Sequence, residues 1–248
     1  LTRRIYVPAL LLSMILVLSG CTPEAASAPI DPKTAGFFVK YFVYPLTETL
    51  DWFADHLWGQ YGLSILVVTI IIRFIILPLT LKQYRSSKRM QDLQPEMKKL
   101  KEKYKDDAKK QQEETMKLFQ ANGVNPLAGC FPILVQMPIL IALYQSIMRN
   151  QHIHDHTFLW LNLGQPDHLY ILPAIAALTT FLQQKFMSAQ MNPQMQSLMF
   201  IFPVLIFVMS MNFASALPLY WVYSNIFTIV QSYFIYGNPQ KLKGGLSK

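Results

Sequence analysis

"LSILVVTIIIRFIILPLTL", residues 63 to 81, decides how this chain is read. It has the length and apolarity of a membrane span, yet Arg73 sets a full positive charge among its isoleucines and leucines. Arg73 lies nine residues before Lys82. On a straight helix that is roughly 13 Å inside the boundary Lys82 marks, near the middle of a hydrocarbon layer about 30 Å thick. Insertion of a central Arg costs about 2.5 to 3.5 kcal/mol, whereas each flanking Ile, Leu, Val or Phe returns about 0.3 to 0.6. The helix still inserts, at a standing cost that calls for a purpose.

An ion pair would be the ordinary purpose, and the sequence offers none. Every Asp and Glu lies in residues 24–55 or 92–114, or is Asp155 or Asp167, outside every apolar run. What remains is a hydrated cavity lined by uncharged polar groups, where Arg73 can attract a carboxylate from an incoming peptide, an attraction that low dielectric strengthens. Candidate lining residues are Thr69, one turn before Arg73, then Gln136, Gln183, Gln184 and Gln231 toward the basic side, and Thr179, Thr180, Asn225 and Thr228 near mid-depth. Gln145, Ser146, Ser210 and Asn212 fall in the opposite halves. Interhelical hydrogen bonding is the alternative role for these groups.

Composition agrees with a membrane protein that has a charged aqueous part: 52% of the 248 residues are hydrophobic, and the formal charge is +8. Five apolar runs approach the roughly 17 to 25 residues a spanning helix needs: Tyr61 to Leu81, Cys130 to Met148, Leu169 to Met187, Gln196 to Asn212, and Leu217 to Tyr236. Lysines and arginines crowd the connection from Lys82 to Lys117, with Lys185 after the third run and Lys241, Lys243 and Lys248 in the tail. Positive charge marks the cytoplasmic side, so the expected fold is an all-α membrane protein of five spans, N-terminus out and C-terminus in. Pro78, Pro132, Pro138, Pro173, Pro203 and Pro218 are placed to kink spans or mark their mouths.

Before the spans, Arg3 and Arg4 precede an apolar stretch that ends at Leu18-Ser19-Gly20-Cys21. This order resembles a bacterial lipoprotein signal, residues 1–20, in which Cys21 is lipidated and becomes the mature N-terminus. Residues 21–59 then carry Leu46, Leu50, Phe53 and Leu57 on one helical face, with Trp52 and Trp58 as interface-seeking rings. They read as an extracytoplasmic amphipathic helix lying on the membrane, or as an ordinary packing helix. The five-span core covers 60–236.

Within that core, residues 82–125 form a cytoplasmic helical hairpin. Met90, Leu93, Met97, Leu100 and Tyr104 make one stripe, and Met116 with Phe119 resume it after Asp106-Asp107. Arg85, Lys88, Arg89, Lys98, Lys99, Lys101 and Lys103 are either a solvated face or a docking site for anionic headgroups, ribosomal RNA or a targeting factor. His152, His154 and His156 match no strong zinc spacing, and Cys130 reads as a small apolar residue at a helix entrance. Phosphate-binding glycine loops, nucleophile elbows and paired intramembrane carboxylates are absent from the sequence, so no catalysis, metal or cofactor is expected.

The stretches "YGLSILVVTIIIRFIILPLTLKQYRSSKRMQDLQPEMKKLKEKY", "GVNPLAGCFPILVQMPI" and "ALPLYWVYSN" resemble the YidC/Oxa/Alb family of membrane protein insertases, in its bacterial Gram-positive form. The resemblance implies a hydrophilic groove, open to cytoplasm and lipid, in which Arg73 attracts acidic residues of a nascent membrane protein's translocated segment. It implies partnership with the Sec translocon and with membrane lipids, first contact through the hairpin, and no nucleotide consumption. The tail 237–248 is short and basic, unlike the long tails with which some relatives hold ribosomes. Two other classes fit parts of the chain. A solute transporter would tolerate a central charge but lacks an inverted repeat and an intramembrane carboxylate, and a membrane-anchored RNA- or lipid-binding scaffold would not need Arg73.

Overall fold

A computed structural model describes residues 30–31, 33–124, 131–187 and 198–236. The expected signal 1–20, the lipidation site Cys21, Cys130 and the tail 237–248 lie outside the described residues. The chain enters through a π-helical turn, Val39–Val43, that runs directly into α1, Tyr44–His56. Pro45 sits in the first turn of α1, directly after the π-helical turn. Leu50 and Ala54 are buried, and Leu46 and Phe53 pack against the same core. The apolar face seen in sequence is thus consumed by packing on α2, Tyr61–Ile75, and on α6, Phe131–Arg149.

Tyr61, Ser64, Ile65 and Val68 are on the buried face of α2, at the i, i+3, i+4, i+7 positions that a 3.6-residue turn keeps on one side. Asp51 lies off the apolar face of α1, and its Oδ1 accepts from the Tyr61 hydroxyl at 2.8 Å and from Asn150 Nδ2 at 2.7 Å. Ser64 Oγ donates to Leu50 O at 2.6 Å. These bonds tie α1, α2 and the end of α6 into one block.

The expected single span Tyr61–Leu81 breaks at Ile76. There α2 gives way to α3, Leu77–Asp92, with a bend of 56°. Pro78 explains it, because proline has no N–H to donate back and its ring crowds the carbonyl of Phe74, four residues earlier. Beyond it come α4, Gln94–Lys103, and α5, Ala108–Ala121. Asp107 caps α5 by accepting from Lys110 N at 2.9 Å. Leu93, Phe119 and Val124 are buried together, with Met90, Met97 and Leu118 against them, as the hairpin stripe leads one to expect. Met116 departs from that stripe and is exposed.

After α6 the short α7, Gln151–His154, leads to a feature the all-α reading does not contain, an antiparallel pair of β1, Thr157–Phe158, with β2, Leu161–Asn162. Phe158 covers Gly62, where a Cβ would run into its ring. The last helices are α8, Ile171–Met187, α9, Leu198–Ser210, and α10, Ala216–Tyr236. α8 packs on α9 and α10, and α10 packs on α2 and α6.

Among the described residues no single helix is long and apolar enough to cross a membrane, although α2 together with Leu77–Met90 meets that length and composition. The shortfall has visible causes. α9 has 13 residues, about 20 Å, and α10 carries Ser, Asn, Thr and Gln in its interior. The main core sits at one end of the bundle, around Leu50, Ile65, Ile147, Leu163, Leu172 and Leu217.

Candidate functional site: a polar face centred on Arg73

Toward the other end, the helices turn polar groups inward and leave apolar ones outside. Tyr220, Ser224, Thr228 and Ser232 recur every four residues on α10, a spacing that keeps them along one side of a helix. Helices α2, α3, α6 and α8 meet that line or the side of α10 beside it. From α2, Arg73 donates through Nη2 to Ser224 Oγ. From α3, the Tyr84 hydroxyl is 2.8 Å from Ser232 Oγ. From α6, Gln136 Nε2 donates to the Tyr220 hydroxyl at 2.6 Å. From α8, Thr180 Oγ1 and Thr179 Oγ1 accept from Asn225 Nδ2 at 2.8 and 3.2 Å.

Hydrogen bonding separates several of the sequence candidates into two sets. Thr69, Thr179, Thr180 and Thr228 each return a hydroxyl hydrogen to their own helix, to Ile65 O, Ile175 O, Ala176 O and Ser224 O. Their donors are used, and Thr69, Thr180 and Thr228 are buried. Gln184 Oε1 and Gln231 Nε2 are buried with no hydrogen-bond partner among the described residues. Buried polar atoms without partners are uncommon, and Gln145 Oε1, His156 Nε2 and Ser210 Oγ, toward the packed end, are in the same position. Gln183 is half-buried on the same turn as Gln184.

Arg73 stands apart. A guanidinium offers five N–H donors, and the described residues give it one hydroxyl acceptor and the neighbouring phenols of Tyr84 and Tyr220, with no carboxylate. Its charge is held in place by neutral groups and is not cancelled. Around this face Phe74, Ile75, Leu178, Leu182, Ile226 and Val230 are exposed, the pattern of helices that face hydrocarbon outward while keeping polar groups between them.

Sequence reasoning missed Tyr84, Tyr220 and Ser224. The four-residue repeat on α10 was the available signal. Their partners sit 84 to 151 positions away, beyond any local pattern.

The hairpin cations Arg85, Lys88, Arg89, Lys98, Lys99, Lys101 and Lys103 are all exposed. Between α4 and α5 lies an open cleft of about 610 Å³, lined by Pro95, Met97, Lys98, Lys101, Met116 and Phe119 among others. Lys103 and Lys110 approach the Tyr104 ring from 5.3 and 5.4 Å. Lys117 pairs with Glu113 and Glu114 at 3.0 and 2.8 Å, which draws the Glu114 carboxyl below its ordinary range and lifts the Lys117 ammonium above its own. No grouping of three His, Cys, Asp or Glu suited to a metal occurs among the described residues. His154 Nδ1 instead contacts Asp155 Oδ1 at 3.0 Å, and His156 packs edge-on against Tyr61.

The family model for the 60Kd inner membrane protein matches residues 52–241. Membrane protein insertase MisCA of Bacillus subtilis (strain 168) is 52% identical over 100% of this chain and 99% of its own length. Membrane protein insertase YidC 2 of Bacillus anthracis is 51% identical, with 97% of each chain covered. The crystal structure of an active YidC insertase with its first transmembrane domain resolved superposes with a TM-score of 0.67 at 26% identity, over 82% of this chain and 48% of that one. The chain therefore spans about half of that solved structure and nearly all of its Bacillus relatives. With the helical fold, the matched family and these relatives in agreement, this chain belongs to the YidC family of membrane protein insertases, in its Gram-positive form.

Proposed function

We propose that the chain inserts nascent membrane proteins, and that Arg73 attracts acidic residues in the segment to be carried across. The observation that carries this reading is the uncancelled charge of Arg73 on a polar face built by α2, α3, α6, α8 and α10. The five-span topology with N-terminus out follows from the distribution of Lys and Arg. It places the open end on the cytoplasmic side and the packed core outside. A groove wet from the cytoplasm then admits the polar end of a substrate, while its apolar segment leaves sideways into lipid along exposed Leu178, Ile226 and Val230.

The bend at Ile76 adjusts the energetics. With α2 along the membrane normal and α3 turned 56° away, Arg73 lies about 10 Å from the Lys82 boundary instead of roughly 13 Å. That depth lowers the insertion cost and brings the guanidinium within reach of a carboxylate entering from the aqueous side. Hydrophobic transfer of the substrate's span, with the membrane potential acting on its acids, supplies the driving force without nucleotide. Cys21 carries the lipid anchor in this scheme. The exposed lysines of the hairpin meet lipid headgroups, a targeting factor or the ribosome, and the Sec translocon shares larger substrates.

The test is insertion, in reconstituted vesicles, of a single-span substrate with an acidic translocated end. Arg73→Ala is expected to lower insertion by about tenfold or more, equivalent to ~1.4 kcal/mol. Arg73→Lys should retain most of it, and neutralising the substrate's acids should remove the requirement. Unchanged insertion by Arg73→Ala would refute the electrostatic role.

A further inference from the structure

Three described residues other than glycine adopt a left-handed backbone: Trp58 (φ 56°), Leu159 (φ 58°) and Tyr170 (φ 57°). Such positions favour Gly or Asn, because a larger side chain crowds the following carbonyl at about 1 to 2 kcal/mol per residue. Here all three are large and apolar or aromatic, and all are exposed, at 85%, 72% and 50%. Burial in the fold therefore does not offset the strain. Trp160, Leu169 and Ile171, beside them in the same turns, are exposed as well.

The three turns belong to one end of the molecule. Trp58 precedes Tyr61, whose ring meets His156 at 5.4 Å. Phe158, next to Leu159, sits on Gly62. The loop between β2 and α8 is fixed to the start of α10 by Ser215 N donating to Gln165 O at 2.8 Å and Ala216 N to Leu163 O at 3.1 Å. Tyr170 then opens directly into α8. No Lys or Arg occurs in residues 56–62 or 157–171. Asp167 is turned inward to cap α8, accepting from Leu169 N at 3.0 Å and Leu172 N at 2.8 Å.

We propose that the turns at Trp58, Leu159-Trp160 and Leu169-Ile171 form an apolar collar that seats in the boundary between headgroups and acyl chains of the extracytoplasmic leaflet. Indole and phenol rings with a polar atom at the rim settle at that boundary. Leu and Ile beside them add area without demanding direction. A fitted protein partner would instead call for a set of directional hydrogen bonds, about one per 100 to 200 Å², and these turns present few side chains able to make them. The leaflet named here rests on the N-out orientation proposed above, while the collar itself does not. Its effect is to fix the height of the packed end, and with it the depth at which Arg73 works.

Fluorescence of the full chain in phosphatidylcholine–phosphatidylglycerol vesicles tests the collar. With Trp52, Trp221 and either Trp58 or Trp160 replaced by Phe, the remaining collar tryptophan should lose emission to lipids brominated near the headgroup end and be shielded from aqueous iodide. Strong iodide quenching without lipid quenching would overturn the proposal and leave a water-facing or protein-docking surface. A second measurement keeps all four tryptophans: Leu159→Cys, with Cys21→Ser and Cys130→Ser, carries a polarity-sensitive dye. Blue-shifted emission is expected, and water-like emission overturns the collar. His168→Cys, at an exposed neighbouring position, reports the side separately. Labelling by an impermeant maleimide in intact protoplasts supports the stated leaflet. Labelling only after lysis overturns that leaflet and the orientation, whatever the quenching shows.

Discussion

The two ends of the helical bundle solve opposite problems. At the end built on α1 and the starts of α2, α8 and α10, Leu50, Ile147, Ile153 and Leu163 are fully buried, and the side chains of Asp51, Ser64, Asn150 and Asp167 all have named hydrogen-bond partners. At the end around Arg73, a guanidinium is held by a hydroxyl with no carboxylate beside it among the described residues, and among the same residues buried Gln184 and Gln231 each keep an atom without a partner, as Gln145, His156 and Ser210 do toward the packed end. One end spends its side chains on a unique packing. The other holds a charge that only neutral groups touch. Stability and function should therefore respond to mutation at different ends.

The sharpest break would come from truncating equal kinds of side chain at each. Leu50→Ala removes a fully buried side chain between α1 and the core and should cost about 2 to 5 kcal/mol, read as a lower unfolding midpoint in detergent. Phe234→Ala removes a larger side chain that is 80% exposed and should change stability by no more than about 0.5 kcal/mol. Equal losses would mean that the open end is as tightly packed as the other and that the contrast is false.

Much of this contrast was legible in the sequence, for physical reasons that differ by residue. The face Leu46-Leu50-Phe53, the hairpin pair Leu93 and Phe119, and the bend near Pro78 follow from local periodicity and backbone chemistry, which a linear text carries. Arg73 was legible because its cost in hydrocarbon is large and its missing carboxylate can be checked by inspection. The β1–β2 pair was not, since strands of two residues have no period to detect. Nor was the role of Asp51, because a carboxylate bonded by Tyr61 and Asn150 looks, in sequence, like any surface acid. Ser224 and Tyr220 needed the register of α10 against α2 and α6, which only packing decides.

Ser224 sharpens the comparison within the open end. Ser224→Ala removes the acceptor that fixes Arg73 and leaves the charge, so the side chain gains freedom to swing toward water. Insertion of an acidic substrate should fall about fivefold, a smaller effect than that of Arg73→Ala, as suits the loss of one hydrogen bond worth ~1 kcal/mol. Ser224→Thr keeps the hydroxyl and should restore insertion, while thermal stability stays near the parent value in both variants. A loss as deep as that of Arg73→Ala would make the hydroxyl part of the receptor itself.

The smallest expected effect lies at the packed end and depends on pH. Burial beside Tyr61 lowers the tendency of His156 to take a proton, and its Nε2 is buried without a partner among the described residues. The folded state therefore binds a proton at lower pH than the unfolded chain, whose histidines titrate near about 6.5. Above that value both states are neutral and the residue is indifferent to pH. As pH falls below it, the unfolded state gains its proton first and stability drops, until the lowered folded-state value is passed and the slope vanishes. The unfolding midpoint of the parent should fall on acidification through this window more than that of His156→Gln, which keeps a polar side chain but does not titrate there. Parallel curves would show that the ring is hydrated in the folded protein, and that the packed end admits water where the contrast between the two ends requires it to be dry.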